Sequence, residues 1–257
     1  SFRDTITYTY DAIKRDRNHN MGYEYRLYLP LYNTVKWLEI GIPQGSSLKF
    51  VPRRKEKPIV AYGTSIAQGG CASRPAMAWT NILERKMDRP VINLGFSGNG
   101  HLDKPIIEMM GKIDAAAYIL DCYPNLVGRD KDEVVRLTVD AVRSLHAQHP
   151  ATPIIIAAFS GYPNAPLSEN HAAMQQKMDE AGRESLRQLE AEGIDNVRYL
   201  TPQQMNIPSD GTVDNVHLTD LGMQSIANAY ETLLREMLHE PSGHTVTTHP
   251  VTQRGEP

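Results

Sequence analysis

Five short apolar runs, each followed by a stretch with helical character, dominate the chain from Pro58 onward and leave few folds open to it. The runs are Ile59–Tyr62, Val91–Asn93, Ala116–Leu120, Pro153–Ala158 and Val197–Leu200. They show little polar alternation, which suits strands buried on both faces rather than strands with one wet side. Helical patterning covers Ala76–Met87, Lys104–Gly111, Asp130–His149, Glu169–Glu192 and Thr219–His239, with Gly111 and Gly193 at the positions of C-terminal caps. Strands that alternate with helices pair in parallel, and crossover helices must cover both faces. The pattern therefore predicts an α/β domain over residues 58–240, a three-layer α/β/α sandwich around a five-stranded parallel sheet.

Residues 1–57 read differently. Segments 5–10, 23–29 and 35–42 alternate aromatic or branched residues with polar ones, as in Ile6, Tyr8 and Tyr10, and half of the 12 tyrosines fall here: Tyr8, Tyr10, Tyr23, Tyr25, Tyr28 and Tyr32. This predicts a short β-rich segment, too small to bury a core of its own. Beyond Glu240 the chain is rich in Pro, Thr and Gly without periodicity, and residues 241–257 are expected to be a flexible tail.

Charge and composition narrow the function. Lys and Arg outnumber Asp and Glu by 11 to 6 in residues 1–57, and the balance reverses to 16 against 24 in the remainder. The one dense basic run, Arg53-Arg54-Lys55-Glu56-Lys57, is short and reads as a solvated linker, so no nucleic-acid partner is expected. No stretch approaches the ~20 apolar residues that span a bilayer, and the first residues lack a charged-then-apolar leader pattern. Neither the dinucleotide fingerprint nor the phosphate-binding loop occurs. Cys71 and Cys122 match no zinc spacing, and His146 and His149 share one helical stretch, so neither metal nor cofactor is expected.

In an open parallel sheet ligands bind beyond the carboxyl ends of the strands. After the first run stands Gly63-Thr64-Ser65, where a tight turn presents a hydroxyl at a helix start. After the second stands Asn93-Leu94-Gly95-Phe96-Ser97-Gly98-Asn99-Gly100, whose glycines let backbone amides approach a ligand. After the third stands Asp121-Cys122-Tyr123-Pro124-Asn125, with a carboxamide donor. Before the last helix, Asp214-Asn215-Val216-His217 sets a carboxylate three residues from an imidazole, so that the acid can hold one ring nitrogen while the other faces a substrate. Arg74, His101, Asn99 and Arg129 lie near the same predicted mouth without an assigned role.

Taken together, these blocks resemble those of the SGNH, or GDSL-like, hydrolases, across residues 58–240. The resemblance implies a flavodoxin-like SGNH fold and a serine esterase, with Ser65 as nucleophile, His217 as base and Asp214 as its orienting acid. It also implies an oxyanion hole formed by the amides of Ser65 and Gly98 and the side chain of Asn125. Two departures stand out: Thr64 replaces the usual Asp, and Tyr123-Pro124 replaces the usual Gly-x before Asn125, which is expected to reshape the pocket. The wording GTSIAQGGCASRP, INLGFSGNGHL and LDCYPN is similar to bacterial esterases with an N-terminal β-sandwich module, of which residues 1–57 would be the last strands. The implied substrate is a small-molecule or carbohydrate ester, most simply an acetyl ester, in a secreted or periplasmic setting. A short-chain lipid or thioester acylhydrolase and a catalytically weakened carbohydrate-binding protein are the alternatives. Cys71 follows Ser65 by six residues and Cys122 precedes Asn125 by three, so the fold would bring their loops near one another: the two either pair in a disulfide beneath the site or stay as small buried thiols.

Overall fold

The computed structural model describes residues 7–9, 25–52 and 55–241. Among these, residues 29–52 and 55–241 belong to one compact unit. Five strands, β1 (Ile59–Gly63), β2 (Val91–Gly95), β3 (Ala117–Asp121), β4 (Ile154–Ala157) and β5 (Val197–Leu200), form a single sheet of order β2-β1-β3-β4-β5. Every pairing is parallel. Both β1 and β3 are buried along their whole length, which is why their sequences are apolar without alternation.

Among the described residues seven α-helices accompany the sheet: α1 (Ser65–Gln68), α2 (Trp79–Met87), α3 (Lys104–Met110), α4 (Lys131–Gln148), α5 (Glu169–Ala191), α6 (Pro202–Met205) and α7 (Asp220–Met237). Helix α2 packs on α7, with Trp79 stacked on Tyr230 at 4.5 Å between centroids, while α4 packs on α3 and α5. The three-layer α/β/α expectation holds.

The register levels the strand ends. Gly63, the last residue of β1, lies opposite Gly95 of β2 on one side and Asp121 of β3 on the other. The chain leaves β1 for one neighbour and β3 for the other, so β1 and β3 flank the switch point where open α/β sheets form their crevice. The loops that leave β1, β2 and β3 therefore start side by side. Their closeness depends on glycine: a Cβ on Gly95 would collide with the backbone of Gln68 in α1, and one on Gly100 with the carbonyl of Gly63.

Several boundaries differ from expectation, each for a local reason. Helix α2 starts at Trp79 rather than Ala76, because Pro75–Met77 turns as a 3-10 helix and Ala78 has ψ 136°. The four-residue helices α1 and α6 are too short to leave a periodic signal. Gly193 takes the left-handed conformation at φ 80°, whereas Gly111 caps α3 in the right-handed region at φ −60°. Residues 25–52 contain no strand, although 35–42 and most of 23–29 alternate. Alternation gives a strand only when a neighbour supplies the ladder. Trp37, Leu38 and Ile40 are exposed instead. Strand 5–10 and the tail at 242–257 fall largely or wholly outside the described residues.

One buried acid stands out. Asp121 is 2% exposed, the Tyr230 hydroxyl beside it offsets part of the cost of burying the carboxyl, and the buried Trp79 Nε1 has no hydrogen-bond partner among the described residues. Burial pushes the Asp121 carboxyl up to about 7. Because an unfolded aspartate titrates near ~4, the folded state holds the extra proton between these values, and stability falls as pH rises through that window.

Two outcomes follow from this packing. Substituting Gly95→Ala forces a backbone shift and should cost about 1–3 kcal/mol, read as a lower denaturant midpoint. Replacing Asp121→Asn should remove the pH-dependent loss. The wild type should then lose more melting temperature than the variant between about pH 5 and about pH 8, and equal losses would refute the assignment.

Candidate active site

Thr64 follows β1 and caps α1, its Oγ1 accepting from the Ile66 amide at 3.2 Å. Ser65 is therefore the first residue of the helix, 9% exposed, with its side chain at the strand-end crevice. Its Oγ lies 2.8 Å from His217 Nε2, a contact between residues 152 positions apart. His217 Nδ1 lies 2.7 Å from Asp214 Oδ2. With the proton on Nδ1 donated to the carboxylate, Nε2 is the acceptor for the serine hydroxyl.

The acid is fixed by a tight turn. Asp214 Oδ1 accepts from the amides of Val216 at 3.0 Å and His217 at 2.7 Å, and Asn215 adopts φ 69°, a conformation that Asn tolerates better than most residues. Burial alone would raise the Asp214 carboxyl, but bonds from the His217 amide and ring and from the Val216 amide hold it below the usual carboxylate range. The carboxylate thus stays charged at neutral pH and favours the Nδ1–H tautomer.

Three donors lie in the segments that leave β1, β2 and β3. The amides of Ser65 and Gly98 donate to no group among the described residues. Gly98 sits in the β2–α3 loop at φ 71°, with open space where a Cβ would stand. Asn125 ends a 3-10 turn, Tyr123–Asn125, that follows β3. With its carboxamide oxygen toward the Gly100 and Asn99 amides, at 3.0 and 3.1 Å, both groups are satisfied and Nδ2 is left as a donor. All five residues singled out in the sequence are thus carried by loops at one end of the sheet. Such a set can abstract a hydroxyl proton and meet developing negative charge with donors fixed in advance.

Other expectations are corrected. Cys71 and Cys122 are both free. Cys122 is buried with its thiol toward the Tyr62 carbonyl at 3.7 Å, and burial raises its pKa, while Cys71 is exposed on a left-handed turn at φ 67°. The turn drives the Tyr123 ring into the core, 1% exposed, with its hydroxyl 3.2 Å from Thr138 of α4. Arg74 and Arg129 take up Asp220 and Glu133, at 3.8 and 2.6 Å. The His101 amide donates to the Tyr62 hydroxyl at 3.3 Å.

Sequence reasoning missed three neighbours. Tyr32 donates to the Ser65 carbonyl at 3.4 Å, and a Cβ on Gly70 would lie 2.8 Å from that hydroxyl and 3.6 Å from His217 Cδ2. Gln68 joins the Leu31 carbonyl, at 3.1 Å, to the Ser97 amide, at 2.9 Å. Asp220 accepts from the Ser73 amide at 2.9 Å and hydroxyl at 2.5 Å, which fastens the loop after α1 to the start of α7 beside His217. The consecutive Gly69 and Gly70 were the available signal, because paired glycines mark a close approach by another segment.

Comparison with known proteins places this geometry. A family model described as the GDSL-like Lipase/Acylhydrolase family matches residues 56–235. The chain belongs to this family. A second model, the N-terminus of Esterase_SGNH_hydro-type, matches residues 2–48. Among solved structures, a protein described as a GDSL-like lipase from Bacteroides ovatus ATCC 8483 is 35% identical, with a TM-score of 0.75 over 82% of this chain and 62% of that one. A salicylyl-acyltransferase from a tetracycline biosynthetic pathway is 18% identical, with a TM-score of 0.60 over 72% of this chain and 56% of that one. A family two carbohydrate esterase from Clostridium thermocellum, in complex with cellohexaose, is 14% identical, with a TM-score of 0.58 over 75% and 68%. These last two share the fold. The chain spans less than two thirds of the length of the first two. No curated protein matches it significantly.

Thiol titration checks the cysteine correction. The denatured, unreduced protein should react with two equivalents of a thiol reagent and the native protein with one, at Cys71.

Proposed function

We propose that this chain is a serine esterase. The continuous contact from Asp214 through His217 to the Ser65 hydroxyl, 2.7 and 2.8 Å, carries the reading. His217 takes the Ser65 proton as Oγ attacks the ester carbonyl, and the same proton then leaves with the alcohol. The acyl-enzyme is released by water activated at the same imidazole. Asp214 holds the tautomer and stabilises the imidazolium. The Ser65 and Gly98 amides and Asn125 Nδ2 receive the carbonyl oxygen as it becomes negative.

The substrate class proposed is an acetyl ester on a carbohydrate. The Clostridium thermocellum neighbour, a carbohydrate esterase bound to cellohexaose, lends support from a shared fold. The ring of Tyr32, half-exposed beside Ser65, is an apolar face of the kind a sugar can cover. A β-sandwich module including residues 1–57 is proposed on the alternation at 35–42 and on exposed Trp37, Leu38 and Ile40, which further strands would cover.

The test is hydrolysis of p-nitrophenyl acetate, followed by acetate release from acetylated sugars. Wild type should turn both over. Ser65→Ala should lower kcat on the order of a million-fold, and Asn125→Ala by roughly 100- to 1000-fold. Near-normal hydrolysis by purified Ser65→Ala would overturn the reading.

A further inference from the structure

Gly98 poses a problem that the esterase reading leaves open. A glycine at φ 71° with open space beside it is the least constrained residue in the loop, yet its amide must point at one place before reaction begins. The direction of that amide is set by the Ser97–Gly98 peptide, whose N–H and C=O point opposite ways because the unit is planar and trans. Holding the Ser97 carbonyl therefore aims the Gly98 amide.

The Ser97 carbonyl is held by Asn99, whose Nδ2 donates to it at 2.9 Å. The backbone of Asn99 faces a second proposed donor: its amide meets the Asn125 carboxamide oxygen at 3.1 Å and also donates to the Phe96 carbonyl at 2.9 Å. One peptide earlier, the Ser97 amide donates to Gln68 Oε1 at 2.9 Å, which ties the turn to the nucleophile's own helix. Two successive peptides are thus braced, and Asn99 meets Asn125 directly and the Gly98 amide through the Ser97 carbonyl of the same peptide unit.

We propose that Asn99 is a positioning residue for the oxyanion hole, aiming the Gly98 amide through its side chain and seating Asn125 through its backbone. The proposal rests on the esterase reading. Only its side-chain half can be removed by substitution, so the test addresses Gly98.

Asn99→Ala is compared with wild type in p-nitrophenyl acetate hydrolysis and in inhibition by phenylboronic acid. Boron accepts an electron pair from Ser65 Oγ as the serine proton passes to His217, and no other bond breaks. The adduct is tetrahedral and anionic, so its affinity reports the hole. The expected result is a fall of about tenfold in kcat and a matching loss of boronate affinity, with KM within about twofold. If Asn99→Ala does not fold, Asn99→Ser carries the same expectation, its side chain being one bond shorter. A kcat within twofold of wild type, or a lowered kcat with unchanged boronate affinity, overturns the proposal and leaves the esterase reading standing. A wild type that neither turns over ester nor binds the boronate overturns both.

Discussion

A parallel sheet delivers every strand end to the same edge, and this chain carries its proposed catalytic residues there. Because Gly63, Gly95 and Asp121 are level across β2, β1 and β3, the loops that follow start within one strand spacing of their neighbours. The serine, the glycine turn and the asparagine therefore come together without long connections. The imidazole arrives from the other direction, at the entry of α7, and its contact with Ser65 closes a loop of 152 residues. Loss of strand registry anywhere in β1 to β3 would move the donors relative to that imidazole.

Precision at the edge comes from small groups rather than large ones. Glycines at 95 and 100 let the loops touch α1 and the end of β1, where any side chain would push them apart. Polar side chains then do the fastening: Gln68 joins α1 to the Ser97 turn and to Leu31, Asn99 braces the Ser97–Gly98 peptide, and the Asp214 carboxylate holds its own turn by two backbone amides. Each of these groups satisfies a backbone polar atom in a place where loop geometry leaves it without a ladder partner.

The parts of this arrangement that were legible in the sequence are those set by local rules. The five runs became five strands because burial on both faces demands continuous apolar sequence, and each predicted strand agrees within a few residues with the one found. Ser65, Gly98, Asn125, Asp214 and His217 were singled out by the likeness of their four blocks to the SGNH hydrolases, since each block alone is ordinary turn chemistry. Residues whose importance lies in who meets them were not. Gln68 looks like an ordinary helical glutamine until Leu31 and Ser97 are placed at its two ends. Tyr32 reads as one aromatic among several in a strand-like segment, and its proximity to Ser65 depends on the fold alone. Tyr123 and the two cysteines lie close to the site in sequence, but the 3-10 turn directs Tyr123 into the core, and Cys122 is buried and Cys71 exposed, both as free thiols.

The central claim is that Ser65 is made nucleophilic by His217, and covalent labelling tests it most directly. A fluorophosphonate reacts with an activated serine, losing fluoride as the phosphorus–oxygen bond forms, and peptide mass mapping locates the adduct. The account predicts one adduct per chain, on the peptide that holds Ser65, and its loss in His217→Ala. An adduct on another residue, or labelling of Ser65 that persists undiminished without the imidazole, would contradict it.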